Sequence, residues 1–207
     1  MPYQTQGVVI RNRRIKSVYY LMEIECPLIA AAVKPGQFIM LKISDNHSPL
    51  LRRPFSVYKS YPENHTRKTR KNHFSILYKE VGKGTKMMSQ FRKGRKMDIL
   101  GPLGNGFSIP SSSTFDKIVL IGGGIGIVSL YSLAEVFKES VLYVLIGGKT
   151  VDDILCLEDF AQFPEYEITK GKINSPEVII EPDRILVDVN YPLTITRENS
   201  KSKLGNF

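Results

Sequence analysis

The sequence predicts an α+β chain of two parts, a small antiparallel β-barrel or sandwich followed by a partial Rossmann-like α/β unit. Three observations predict it. Residues 1–110 hold many short runs rich in β-branched and aromatic residues, divided by turn signals. The pattern changes to a linker near Pro110-Ser111-Ser112-Ser113. Beyond it, apolar strand-like and helix-like segments alternate around a glycine turn, the seed of a parallel sheet.

In the first part the strand signals are Gly7–Ile10, Tyr19–Glu25, Gln37–Ile43, Phe55–Tyr58, Phe74–Tyr78 and Met97–Leu100. Lys34-Pro35-Gly36 and Arg92-Lys93-Gly94 read as turns, and Lys86–Phe91 as a short helical stretch. In the second part Asp116–Ile121 reads as a buried strand, Ile127–Lys138 as an amphipathic helix and Val141–Ile146 as a second strand ended by Gly147-Gly148. Asp152 or Asp153 is expected to cap a short helix running to Phe160. From about Lys170 the signal fades: Glu177–Ile180 and Ile185–Val189 could be strands, and Asn199–Phe207 is a polar tail.

Composition narrows the function classes. The longest apolar stretches, such as Leu28–Val33, fall far short of the ~20 residues of a membrane span, and Met1–Gln6 has neither a basic nor an apolar leader region, so a cytoplasmic protein is expected. Cys26 and Cys156 are too few for a disulfide scaffold or a four-thiolate centre. The net charge of +9 is uneven: residues 1–110 hold 20 Lys and Arg against 6 Asp and Glu, and the remainder 9 against 14. A basic half favours phosphate-bearing ligands, acidic partners or nucleic acid, and charge alone does not choose among them.

Motifs sharpen the choice. Leu51-Arg52-Arg53-Pro54-Phe55-Ser56-Val57 sets guanidiniums, which can grip a pyrophosphate in bidentate fashion, beside a proline-stiffened strand, with Ser56 on the same face as Pro54. The competing reading is an edge strand with solvated arginines. Gly82-Lys83-Gly84-Thr85 opens a helical stretch where backbone N–H groups can approach an anion. It is not a nucleoside-triphosphate loop, because Gly84 interrupts the Gly-Lys-Ser/Thr order, and Gly148-Lys149-Thr150 lacks the earlier glycine, Tyr143 standing there. Gly122-Gly123-Gly124-Ile125-Gly126 follows a strand and opens a helix, the context in which a glycine turn takes a dinucleotide pyrophosphate, although the strict fingerprint is met only in part. A tight turn without ligand is its plain alternative. The basic run Thr66–Lys71, flanked by His65 and His73, reads as a solvated hairpin loop, and the histidines, His47 included, lack metal-ligand spacing.

Arg53-Pro54-Phe55-Ser56, Gly82–Thr85, Gly101-Pro102-Leu103-Gly104-Asn105-Gly106-Phe107 and Gly122–Ile127 stand in the order of one family. Together with Pro35-Gly36-Gln37-Phe38 and Gly147–Thr150 followed by Asp153-Ile154-Leu155, they resemble the ferredoxin-reductase-type FAD- and NAD-binding family, most closely the electron-transfer subunit of dihydroorotate dehydrogenase. The resemblance covers roughly residues 3–163. It implies an antiparallel Greek-key FAD-binding barrel over residues 1–110, an NAD-binding α/β domain over 111–170 and a divergent or incomplete segment over 171–207.

It also implies roles. Arg53 would neutralise FAD phosphate, Pro54 and Phe55 would lie along the flavin, and Ser56 would be the catalytic residue at the flavin N5 edge. Leu77, Tyr78 and Lys79 would pass the ribityl and phosphate region, Gly84 and Thr85 would hold the pyrophosphate, and Gly122, Gly123, Gly124 and Gly126 would face the diphosphate of NAD(H). The implied partner is a dihydroorotate dehydrogenase catalytic subunit. No iron-sulfur cluster is supported by these cysteines, and the family's Cys-Gly-Pro segment near the nicotinamide has no counterpart in Gly171–Phe207. With the later strands of the sheet also unrecognised, FAD binding with slow oxidation of NADH is expected. A stand-alone flavin or ferredoxin reductase, and a nucleic-acid module using Arg67–Lys71 and Arg92–Lys96, are the alternatives.

Overall fold

The computed structural model of the chain describes residues 1–44, 48–62, 72–108, 117–138, 141–162, 166–171 and 185–187. The linker Pro110–Ser113, His47, His65, the run Thr66–Lys71, Glu177–Ile180 and the tail Asn199–Phe207 lie outside them. Among the described residues no helix is long and apolar enough to cross a membrane.

Strands β1 (Tyr3–Lys16), β2 (Tyr19–Glu25), β3 (Phe38–Leu41), β4 (Arg53–Ser56), β5 (Lys59–Tyr61), β6 (His73–Lys79) and β7 (Lys96–Leu103) form one sheet in the order β4-β3-β7-β1-β2-β6-β5. Every pairing in it is antiparallel. The sheet curls into a half-barrel, so that Phe55 of edge strand β4 meets Tyr78 of β6 edge-on, ring centroids 6.0 Å apart. Period-2 alternation sorts the side chains: Tyr20, Met22 and Ile24 of β2 enter the barrel core with Phe74, Ile76 and Tyr78 of β6 and Val9, Ile39, Leu41 and Ile99. Helix α1 (Pro27–Ala32), which the sequence pattern does not announce, adds Ile29 and Ala30 to that core. Pro27 starts it, because a first-turn residue needs no N–H partner. Helix α2 (Lys83–Ser89) adds Met88, and the Asn12 amide donates to Met88 O near its end and to Phe91 O just beyond it. His73 is no loop residue; it opens β6, is buried, and stacks on Tyr61.

The second sheet is parallel, in the order β10-β9-β8-β11, from β8 (Lys117–Gly123), β9 (Val141–Gly147), β10 (Tyr166–Gly171) and β11 (Ile185–Val187). Helix α3 (Ile127–Val136) follows a 3-10 turn over Gly124–Gly126. Two expectations are corrected here. The later strands are present in the sheet: β11 falls within the candidate Ile185–Val189, and β10, which the sequence pattern did not mark, pairs with β9, which removes one of the two reasons for expecting slow NADH oxidation. Neither Asp152 nor Asp153 caps the helix ending at Phe160: a 3-10 turn over Val151–Asp153 intervenes, and α4 (Leu157–Phe160) starts only after Cys156 in the left-handed region, φ 63°.

A second core joins the two sheets. Ile118, Leu120, Val144 and Ile146 pack with α3 and with Tyr19, Tyr58 and Leu77 of the half-barrel. That is why β6 is buried on both faces. At this seam Asp153 is fully enclosed by donors: Oδ1 accepts from the Tyr19 hydroxyl and from Lys79 Nζ at 3.1 Å, and Oδ2 from Thr150 N at 3.0 Å and Thr150 Oγ1 at 2.9 Å. Gly148 leaves room for it; a Cβ there would stand 2.9 Å from Asp153 Cβ.

The Tyr19 hydrogen bond first, then those of Lys79 and Thr150, hold the Asp153 carboxyl well below the usual carboxylate range against the opposing pull of burial. A depressed native pKa gives stability that is present above the unfolded value and is lost as pH falls through the native one. Asp153→Ala, which removes the acceptor shared by Tyr19, Lys79 and Thr150, is expected to cost about 1–3 kcal/mol at neutral pH. Thermal melts should show wild type losing this advantage below about pH 4, with the variant flatter over the same range.

Candidate functional site

The predicted residues fall into two groups, one on the half-barrel around β4 and one at the end of β8. On β4, alternation turns Arg53 and Phe55 inward and leaves Pro54 and Ser56 exposed. The adjacent arginines have separate tasks. Arg52 is committed to β7, with Nη2 2.7 Å from Asp98 Oδ2 and Nη1 3.1 Å from Asp98 O. Arg53 donates through Nη1 to Leu51 O and, at 3.4 Å, to Arg52 O, and neither its Nε nor its Nη2 has an acceptor among the described residues. Its side chain crosses the first turn of α2: Nε and Cγ lie 3.7 and 3.9 Å from where a Cβ on Gly84 would stand. The bare backbone of buried Gly84 and the unspent guanidinium donors thus share one place.

Thr85 next to it is used locally. Its hydroxyl accepts from Val81 N at 2.9 Å and Gly82 N at 3.1 Å and donates to Gly82 O, so it caps α2. Of the three residues predicted on β6, Tyr78 joins the group: its ring contacts Phe55 and stacks on Tyr20 at 5.5 Å, and its hydroxyl donates to Asn12 Oδ1. Burial raises the Tyr78 phenol above its ordinary range, so the ring is neutral. Leu77 and Lys79 leave the strand on the opposite face, Leu77 into the inter-sheet core and Lys79 to Asp153. Ser56 and Arg53 also point to opposite sides of β4. One ligand can reach both because β4 is an edge strand.

The glycines at the end of β8 divide as well. A Cβ on Gly122 would stand 2.8 Å from Ile127 Cα, so this glycine lets strand and helix touch. Around Gly123, Gly124 and Gly126 a Cβ would meet nothing within 4 Å, and Gly124 has φ +50°. The result is an open turn of bare backbone at the N-terminus of the ten-residue α3, suited to an anionic group.

Sequence reasoning passed over the residues that join the groups, namely Tyr19, Tyr58, Lys59 and Asp159. The Tyr58 hydroxyl and Lys59 Nζ both donate to the Asp159 carboxylate, and Lys16 Nζ donates to Val151 O and Ile154 O. Each acid is the second of an adjacent acidic pair, Asp152-Asp153 and Glu158-Asp159, and nothing local marks which member turns inward. A cleft of about 490 Å³ at the C-terminal end of α2, lined by Ile43, Phe91, Arg92 and Lys93 among others, contains none of the residues expected to hold FAD or NAD(H). Among the described residues no three His, Cys, Asp or Glu side chains gather to hold a metal ion.

No family model matches the chain. It is 34% identical over 202 residues to the dihydroorotate dehydrogenase B (NAD(+)) electron transfer subunit of Geobacillus sp. (strain WCH70), spanning 92% of this chain and 74% of that protein. The Bacillus cereus (strain AH187) protein of the same name is 34% identical over 163 residues, with 77% of this chain matched to 60% of its length. Among solved structures, the NADH-dependent reduced ferredoxin-NADP oxidoreductase, described for flavin-based electron bifurcation, superposes with a TM-score of 0.67 at 26% identity, over 79% of this chain and 56% of that one. The ferredoxin-NADP+ reductase of Plasmodium falciparum shares the fold, at a TM-score of 0.64 and 14% identity over 84% of this chain and 72% of its own.

The two kinds of glycine separate experimentally. Gly122→Ala forces backbone apart and is expected to lower stability by about 1–3 kcal/mol, as overpacking does. Gly123→Ala should change the denaturant midpoint by less than about 0.5 kcal/mol equivalent, as for an unobstructed surface position.

Proposed function

This chain belongs to the family of dihydroorotate dehydrogenase B (NAD(+)) electron transfer subunits, and from that premise we propose that it holds FAD on the half-barrel and receives electrons from NADH docked at the glycine turn. The observation that carries the reading is the unspent Arg53 guanidinium lying over Gly84. A diphosphate there would take charge-assisted hydrogen bonds from Nε and Nη2 beside a residue that carries no side chain of its own. When bound, the flavin supplies the hydride acceptor.

The chain's own residues do the rest. Phe55 and Tyr78 wall the ring side, and the exposed Ser56 offers its hydroxyl to the flavin N5 edge. Gly123, Gly124 and Gly126 present bare backbone to the NADH diphosphate, favoured by the α3 dipole. Gly122, Leu77, Lys79 and the Thr85 hydroxyl support the site through packing, ion pairing and capping rather than by contact. In domain terms, FAD is assigned to residues 1–110 and NAD(H) to the α/β unit that follows, now extended by β10 and β11.

The chain spans between 60% and 74% of the curated relatives it matches, so the activity and partners of the whole protein belong to the proposal too. The physiological acceptor is proposed to be a dihydroorotate dehydrogenase catalytic subunit. With Cys26 and Cys156 as its cysteines, this sequence does not supply the ligands of an iron-sulfur centre. Two free thiols fit work in the reducing cytoplasm.

Arg53→Ala is expected to weaken FAD retention at least tenfold, since each charge-assisted hydrogen bond contributes about 1.5–3 kcal/mol. Arg52→Ala should spare FAD affinity and lower stability, because it breaks the pair with Asp98. Fluorescence titration of the apoprotein with FAD checks both, and equal affinities for wild type and Arg53→Ala would remove β4 from the cofactor site.

A further inference from the structure

The two proposed ligand segments are linked by a side-chain cluster that neither one needs for binding. Strand β4 ends at Ser56, and two residues on, Tyr58 is 2% exposed with its ring centroid 5.0 Å from that of Tyr131. Tyr131 lies on α3, five residues beyond Gly126, and packs edge-on against Phe160 of α4 at 5.6 Å. Lys59 closes the cluster. Its ammonium stands 4.3 Å from the Tyr131 ring centroid and 5.0 Å from that of Tyr58, and pairs with Asp159 Oδ1 while Asp159 Oδ2 takes the Tyr58 hydroxyl. The Lys59 side chain is 13% exposed, so this cation is largely shielded from water.

The position of the cluster matters more than its strength. Asp153 already attaches the α/β unit to β2 and β6. Lys16, through Val151 O and Ile154 O, holds the same stretch, so beyond the shared apolar core these polar attachments all reach the α/β unit within residues 151–154. The cluster of Tyr58, Lys59, Tyr131 and Asp159 is a separate polar attachment, set on the chain directly after Ser56 and on the helix that follows the glycine turn. Resting on the functional reading above, we propose that Lys59 and Asp159 are positioning residues, which fix the glycine turn relative to Ser56 and so set the approach of the two bound cofactors. They touch neither cofactor in this scheme.

Lys59→Met, Asp159→Asn and the double variant test this with two readouts. The first needs no cofactor: amide residual dipolar couplings of the apoprotein report whether the two sheets share one orientation. Wild type and Lys59→Arg, which keeps the cation, are expected to fit a single alignment tensor for both sheets, and the other variants two. The second is anaerobic rapid mixing of the FAD-loaded chain with saturating NADH, where misplacement by about 1 Å should slow flavin reduction by about a hundredfold. FAD retention and the half-saturating NADH concentration should stay within about twofold, and the double variant should be no slower than either single one, as for residues acting as a unit. Variants that keep one tensor and the wild-type rate overturn the proposal, as does loss of FAD in parallel with rate, which would place the cluster in the flavin site instead. If Lys59→Met does not fold, Asp159→Asn decides, since its amide still accepts from Tyr58. If wild-type protein fails to bind FAD, the functional reading fails, and the tensor comparison still tests the attachment.

Discussion

The structure depends on one buried carboxylate. Asp153 sits at the seam between a curled antiparallel sheet and a parallel one, with all its hydrogen-bond partners supplied by Tyr19, Lys79 and Thr150. A carboxylate so enclosed is costly unless every lone pair is met, and two of its donors come from the other sheet. Separating the sheets would therefore break the bonds of Asp153 to Tyr19 and Lys79 as well as expose the shared core of Tyr19, Tyr58, Leu77, Ile118, Leu120 and α3. The local sequence serves this need: Gly148 leaves space for the Asp153 side chain and Thr150 folds back on it. What reads along the chain as Gly-Gly-Lys-Thr before an acid is the seat of an inter-sheet anchor.

Given that anchor, the chemistry follows from where each segment is forced to lie. The curl of the first sheet leaves β4 at its edge, where Arg53 and Ser56 can serve one extended ligand from two sides. The close contact of Gly122 with Ile127 fixes α3 on β8 and turns the remaining glycines outward. Family membership agrees with a flavoprotein that passes electrons between NAD(H) and FAD. The protein's contribution to such a reaction is orientation and electrostatics, which rigid joints supply.

Much of this was legible before any coordinates. Strand β2 was read as Tyr19–Glu25 with both ends correct, because its β-branched and aromatic residues are bounded by a turn and by Cys26-Pro27. The start of α3 at Ile127 follows from the glycines before it. Helix α1 was missed because six apolar residues without periodicity read equally well as buried strand or helix. Strand β10, Tyr166–Gly171, was missed because Glu167 and Lys170 break its apolar run. Motif order groups Arg53 with Gly84, and the two lie side by side in the structure, but motif order alone does not say that Lys79 and the Thr85 hydroxyl are spent on Asp153 and on a helix cap. Those assignments depend on which face of a strand meets the second sheet. The adjacent seam residues Tyr58 and Lys59 lie 101 and 100 positions from Asp159 in sequence and carry no local signature.

On the proposed reading, the half-barrel and the parallel sheet act as one body that brings FAD and NADH together for hydride transfer. Mixing the FAD-loaded chain with NADH in the absence of oxygen, and following the visible flavin absorbance, is the decisive measurement. The bound flavin is expected to bleach in a single phase whose rate saturates with NADH. Flavin that stays oxidised at saturating NADH, with FAD still firmly held, would contradict it.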